Sequence, residues 1–118
     1  YLKGKTSENK PLAHIPPLNA KLNIDYNIKK QSFRVSVNYN GRKLASEYDE
    51  AGVDNLEEAT NEGNPSWYTL NLAHIYKITP QLALSFGIKN ILDTHYKSFG
   101  SGLSASGRNF IISLGADF

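Results

Sequence analysis

The chain has 118 residues, one domain's worth by length, with a formal net charge of +2 and no Cys. Near-neutrality without a basic block excludes the charge footprint of a nucleic-acid binder, and the missing Cys excludes a disulfide framework and thiolate chemistry. No run of about 18 apolar residues exists to form a transmembrane helix, which leaves strands as the only route through a bilayer. The opening Tyr1-Leu2-Lys3-Gly4-Lys5 has no apolar h-region, so an outer-membrane chain with this start is expected to be processed or to be a piece of something longer.

Residues 1–4 read as the end of a strand. A loop from Lys5 to Pro17 follows, closing with Ile15-Pro16-Pro17. Proline cannot donate to a ladder, so the next strand is predicted over 18–28. There Leu18, Ala20, Leu22, Ile24, Tyr26 and Ile28 alternate with Asn19, Lys21, Asn23, Asp25 and Asn27. After a polar turn at Lys29-Lys30-Gln31, Phe33, Val35, Val37 and Tyr39 alternate with Arg34, Ser36, Asn38 and Asn40 in a strand over 32–41. A long acidic loop, Arg42 to Pro65, carries Glu47, Asp49, Glu50, Asp54, Glu57, Glu58 and Glu62. The strand 66–78, the turn Thr79-Pro80-Gln81 and the strand 82–91 come next. A Gly- and Ser-rich loop from Asp93 to Gly107 leads to the strand 108–118. Its one face is Phe110, Ile112, Leu114, Ala116 and Phe118; its other is Asn109, Ile111, Ser113, Gly115 and Asp117, with Ile111 the apolar exception.

Period-two alternation is a strand signal, because successive side chains leave a strand on opposite sides. The expected fold is all-β, an antiparallel meander of about five strands of roughly ten residues each, the length that crosses a bilayer as a tilted barrel strand. Connections alternate long and short, the rhythm of membrane barrels with short periplasmic turns and long outer loops. With the chain ending in the periplasm, Tyr26, Phe33, Tyr76 and Phe118 fall near that rim, and Tyr39, Tyr68 and Phe110 near the outer one, as aromatic girdles do. Leu22, Ile24, Val35, Val37, Leu70, Leu72, Leu84, Phe86, Ile112 and Leu114 are expected to face lipid. Lys21, Asn23, Asp25, Arg34, Asn38, Asn71 and Asn109 are expected to face a lumen. A soluble β-sandwich binding module also explains the alternation, but neither the girdles nor the loop rhythm.

Candidate chemistry is sparse. His14, His74 and His95 lie far apart without metal-ligand spacing, and His74 is in phase with the lipid-facing set. His14, Tyr48, His95 and Tyr96 stand in the loops as candidate ligand-binding residues. Asp49, Glu50 and Asp54 are the nearest approach to a divalent-cation cluster, without the spacing of a calcium loop; a solvated charged loop fits them better. No nucleophile has a base at fixed spacing, so no enzyme, metal centre or cofactor is expected. Arg108, in Gly107-Arg108-Asn109, is expected to aim at a loop carboxylate or a lipid phosphate, a structural ion pair being favoured over substrate contact.

Several stretches together resemble the C-terminal third of TonB-dependent outer-membrane receptors, more of the Bacteroidetes type than the enterobacterial. They are Pro11-Leu12 with Ile15-Pro16-Pro17, Pro65-Ser66-Trp67-Tyr68-Thr69-Leu70-Asn71, Lys89-Asn90-Ile91-Leu92-Asp93 with His95-Tyr96, Ser101-Gly102-Leu103-Ser104-Ala105-Ser106-Gly107-Arg108-Asn109, and the terminal aromatic. The resemblance implies that 1–118 is the C-terminal segment of a transmembrane β-barrel of about 22 strands, in the outer membrane of a Gram-negative bacterium. It implies import of a scarce large solute, of the ferric siderophore, haem or cobalamin class. The plug domain and TonB box are absent from these residues. The implied partners are the remainder of the receptor barrel and plug, TonB through the missing N-terminal part, outer-membrane lipid and the barrel-assembly machinery. Phe110, Ile112, Leu114, Ala116 and Phe118 resemble the C-terminal signal that this machinery reads. A passive or structural outer-membrane barrel is the alternative within membranes.

Overall fold

Pro16 and Pro17 carry no N–H to give a ladder, and regular pairing starts two residues beyond them. In the computed structural model, which describes residues 4, 5, 7, 8, 10–49 and 52–117, strand β1 covers Asn19–Ile28 and β2 covers Gln31–Asn40. Two short strands follow, β3 at Lys43–Leu44 and β4 at Gly63–Asn64. Then come β5 at Trp67–Lys77, β6 at Leu82–Lys89 and β7 at Asn109–Ala116. The long strands form one five-stranded antiparallel sheet in the order β1-β2-β5-β6-β7, and β3 pairs with β4 in a separate ribbon. Each of the five expected spans holds a strand, with ends moved by a residue or two. The acidic loop is more ordered than expected: besides the β3–β4 ribbon it makes single 3-10 turns at Ala45–Glu47 and Leu56–Glu58. The strand expected at residues 1–4 lies mostly outside the described residues, as do Glu50 and Phe118.

The chain divides into two compact units. A sheet unit comprises Lys21–Asn38, Tyr68–Thr94 and Ser106–Phe118; a loop unit comprises Tyr1–Ala20, Tyr39–Trp67 and His95–Ala105.

In the sheet unit the register brings like residues to one side. Tyr76, Leu84 and Leu114 form one rung across β5, β6 and β7; His74, Phe86 and Ile112 form the next; Leu72, Ile88 and Phe110 the third. Lys77 N–H donates to the Lys30 carbonyl at 2.8 Å, Asn71 Nδ2 to the Ser36 carbonyl at 3.3 Å, and Asn38 Nδ2 to Thr69 Oγ1 at 3.2 Å. Those pairs climb one strand as they descend the other, fixing β2 antiparallel to β5. Phe33 lies on the His74 ring at 4.3 Å, carrying the apolar side onto β2. Alternation puts Asp25 and Arg34 on the opposite side, where their side chains meet at 2.6 and 3.1 Å. The sets expected to face apart therefore occupy opposite faces of the sheet. Ile111, the apolar exception, stands opposite Gly87, where the missing side chain leaves room for it.

The apolar face is uncovered. Ile112 is 73% exposed, Leu114 67%, Phe110 63%, and Leu22, Ile24 and Tyr26 60% each. The sheet is held by its ladders and cross-strand pairs rather than by a core beneath it.

The end of β6 is set by side chains. Asn90 takes φ 50° and Asp93 φ 55°, left-handed values that Asn and Asp tolerate because their short polar side chains bond locally. Asn90 N–H donates to Asn71 Oδ1 at 2.9 Å; Asn90 Nδ2 donates to the carbonyls of Thr94 and Ser106 at 2.9 and 3.3 Å; Thr94 N–H donates to Asn90 Oδ1 at 3.0 Å. Asp93 Oδ1 accepts the Arg108 N–H at 2.7 Å, and a Cβ on Gly107 would sit 2.5 Å from that oxygen. Asn90 and Asp93 thus close the long loop onto itself from both ends. Asn90→Gly keeps the backbone angle accessible and deletes the side-chain bonds; it is expected to lower stability by about 1–3 kcal/mol, the cost of orphaned buried groups, read as a lower urea midpoint of the complete protein.

Candidate functional site

The loop unit is built around a buried ion pair. Lys43, in β3, is 3% exposed, as is Asp54. The Lys43 ammonium lies 3.0 Å from Asp54 Oδ2 and donates to the Ile15 carbonyl at 2.7 Å. Its remaining surface faces two rings, Phe99 at 4.1 Å and Tyr48 at 4.8 Å to the centroids. The rings meet edge-on at 5.8 Å. A cation between aromatic faces and a carboxylate keeps attractive partners after leaving water, which a buried charge requires.

Asp54 serves a second loop. Its Oδ1 accepts the His14 N–H at 2.7 Å, with the His14 imidazole Nδ1 at 3.7 Å and the ring itself mostly exposed. Asp49 in turn accepts the N–H groups of Asp54 at 3.0 Å and Val53 at 3.3 Å. Asn55 Nδ2 donates to the Gly100 carbonyl at 3.2 Å, and Lys97 Nζ approaches Glu58 Oε2 at 3.8 Å. Three loop segments, 14–15, 43–58 and 97–100, therefore converge on Lys43 and Asp54. The turn back into β4 needs Gly63, at φ 101°, because a Cβ there would collide with the Lys43 carbonyl.

Of the loop candidates, His14 and Tyr48 come together on this ion pair. Tyr96 lies apart from it, stacked on Trp67 at 3.9 Å, and His95 is exposed beside it in sequence. Lys43 and Phe99 were not singled out by sequence; Asp54 was noted only as part of an acidic cluster and Trp67 only within a longer stretch. Nothing in the spacing of Lys43 marks a buried lysine, since its partners come from three loops; the Trp67-Tyr68 pair at a strand start was the one local signal for the Tyr96 stack. Buried without a hydrogen-bond partner among the described residues are Asn64 Nδ2 and Trp67 Nε1, donors with capacity to spare.

Chemically the pair is occupied. Asp54 and Asp49 hold a lysine and backbone N–H groups, and among the described residues no three His, Cys, Asp or Glu side chains are grouped to hold a metal. In the sheet unit, Arg108 makes no ion pair with a carboxylate among the described residues. Its Nε donates to the Ile91 carbonyl at 2.8 Å, and its backbone N–H takes the Asp93 carboxylate instead.

No family model matches the chain, and no curated protein matches it. Its fold is similar to that of a solved structure, the copper transporter OprC, with a TM-score of 0.79 at 21% identity. The match covers 100% of this chain and 19% of the other, so the chain spans about a fifth of the length of the transporter it matches. The likeness is one of fold.

Two outcomes follow from the buried pair. Lys43→Met strands the Asp54 carboxylate and is expected to cost about 3–5 kcal/mol, seen as rapid proteolysis within 43–62 in the complete protein; Lys43→Met with Asp54→Leu removes both charges and should recover most of that protection. Burial pushes the Tyr48 phenol up, with the Asp54 charge adding to the shift. A raised folded value means that this contribution to stability is full below the unfolded value of about 10 and is lost as pH rises through the folded value. Tyrosinate absorbance of the parent should show a late-titrating phenol that Tyr48→Phe lacks.

Proposed function

We propose that residues 1–118 are the C-terminal segment of the transmembrane β-barrel of a TonB-dependent-type transporter in the outer membrane of a Gram-negative bacterium. The observation that carries this reading is the two-faced sheet: an exposed apolar face backed by a polar one whose charged pair, Asp25 and Arg34, is matched. A soluble protein seldom exposes so continuous an apolar surface, whereas lipid demands one together with a fully paired backbone. The fold likeness to a transporter supports it.

On this reading further strands pair with the edges at β1 and β7, completing a barrel of about 22 strands. The rest of the receptor contributes barrel and plug, and TonB acts through that missing part. The chain carries out no reaction on the cargo and needs no cofactor. Phe110, Ile112, Leu114 and Ala116, on one face of β7, together with Phe118, offer a strand that barrel-assembly machinery can engage by edge pairing. The cargo by resemblance is a large scarce solute such as a ferric siderophore, haem or cobalamin. A second reading, copper, rests on the name of the matched transporter. This segment offers copper little, since it has no Cys, no Met and three scattered His. Uptake of radiolabelled copper against a radiolabelled ferric siderophore, in cells with and without the gene, separates the two.

The facing is tested in the complete receptor. Ile112→Arg places a charge on the apolar face and is expected to cost about 2–4 kcal/mol near the bilayer midplane; Ser113→Arg, one residue along on the polar face, should cost far less. Heat-modifiable folded receptor in isolated outer membranes reads both, and equal losses would remove the membrane assignment of the apolar face.

A further inference from the structure

His74 and Gln31 are polar residues on a face otherwise fit for hydrocarbon. The rung neighbours of His74 are Phe86 and Ile112, and Phe33 lies flat on its ring. A histidine there needs a partner, and it has one: its Nε2 meets Gln31 Oε1 at 3.2 Å. Gln31 opens β2, so this polar pair sits beside the short turn of Lys29 and Lys30. His74 is three residues from Lys77 at the end of β5, about 10 Å of strand. That depth is where a barrel strand passes from hydrocarbon to headgroups, and Tyr26 and Tyr76, both exposed on the same face, bracket it.

The charge at this end is one-sided. The sheet unit has seven lysines and arginines but three aspartates. Asp25 is taken by Arg34 and Asp93 by the Arg108 N–H. Asp117 lies past the end of β7, two strands from Lys77. Lys29, Lys30 and Lys77 are exposed, and among the described residues none meets a carboxylate within ion-pair distance. Lys30 Nζ is seen on the Ile78 carbonyl, folded over the rim.

We infer that Gln31 and His74, with the Lys29–Lys30 turn above them, form a docking point for the headgroup phosphate of an anionic phospholipid in the adjoining leaflet. With its Oε1 held by His74 Nε2, the Gln31 amide keeps its N–H donors for a phosphate oxygen, and His74 orients the group that binds. The lysines supply the field that favours a net negative headgroup over a zwitterionic one. The aromatic and aliphatic neighbours take the acyl chains. This rests on the membrane reading above.

The complete receptor is reconstituted into vesicles with trace spin-labelled phosphatidylglycerol or phosphatidylcholine, and the motionally restricted fraction of each is measured. The parent is expected to hold phosphatidylglycerol in preference, by about fivefold, the factor that a single lysine contributes at an anionic surface. The double variant Gln31→Leu, His74→Leu and, separately, Lys29→Gln, Lys30→Gln should bring that ratio close to one. Leucine on a lipid face is benign, so heat-modifiability should stay at the parent level and keep the comparison sound. Equal retention of the two lipids by the parent, or an unchanged ratio in both double variants, overturns the inference and leaves the barrel reading standing. A parent that inserts into neither vesicle, giving no heat-modifiable band, overturns the barrel reading and this inference with it.

Discussion

The register between neighbouring strands is the constraint on which the sheet depends. Side chains alternate with period two, so a slip of one residue would interleave Leu, Ile and Phe with Asn, Ser and Lys on both faces. The observed pairing prevents that: Tyr76, Leu84 and Leu114 share a rung, as do His74, Phe86 and Ile112. Polar groups on the other side help to pin it. Asn71 bonds the Ser36 carbonyl across β2 and β5, and Asp25 bonds Arg34 across β1 and β2. These bonds cost little in exposed surroundings and contribute modestly to stability. Their value lies in selecting one alignment among several that the apolar pattern alone would permit.

The loop unit solves a different problem. It buries little of its apolar matter, and among the described residues Tyr48 is its buried aromatic. Segments without a core are held instead by a hub in which one cation satisfies many partners at once. Lys43 touches a carboxylate, a carbonyl and two rings, and Asp54 passes the connection on to the His14 backbone. Such a hub gives a unique arrangement rather than great strength, since removing both charges together is often nearly neutral. Loops fixed this way keep their surface side chains, His95 among them, free for other uses.

The strands were legible in the sequence because their signal is local and repeated: five alternating runs, each bounded by a Pro, Gly or Asn cluster. The fold class followed from that pattern, and even the Ile111 exception has a local explanation in Gly87 opposite it. The hub was not legible, because a buried lysine looks like any other until three loops close over it. His14 and Tyr48 were marked for their residue types; in the structure the His14 N–H bonds Asp54 and the Tyr48 ring lies against Lys43. Of the two partners that charge suggests for Arg108, a carboxylate or a lipid phosphate, the nearby Asp93 carboxylate takes the backbone N–H rather than the guanidinium.

The Asn90 to Asp93 stretch shows how much of a loop's path a short motif can set. Both residues adopt left-handed angles, both carry an acceptor oxygen, and both use it on backbone N–H groups close by. Leucine or lysine in either place would have to strain the backbone and would leave those N–H groups unpaired. Gly107 completes the arrangement by leaving space for the Asp93 oxygen. Three residues therefore decide where β6 ends and how β7 is approached. Holding both ends this way lets residues 95–105 vary in chemistry while β7 keeps its register against β6.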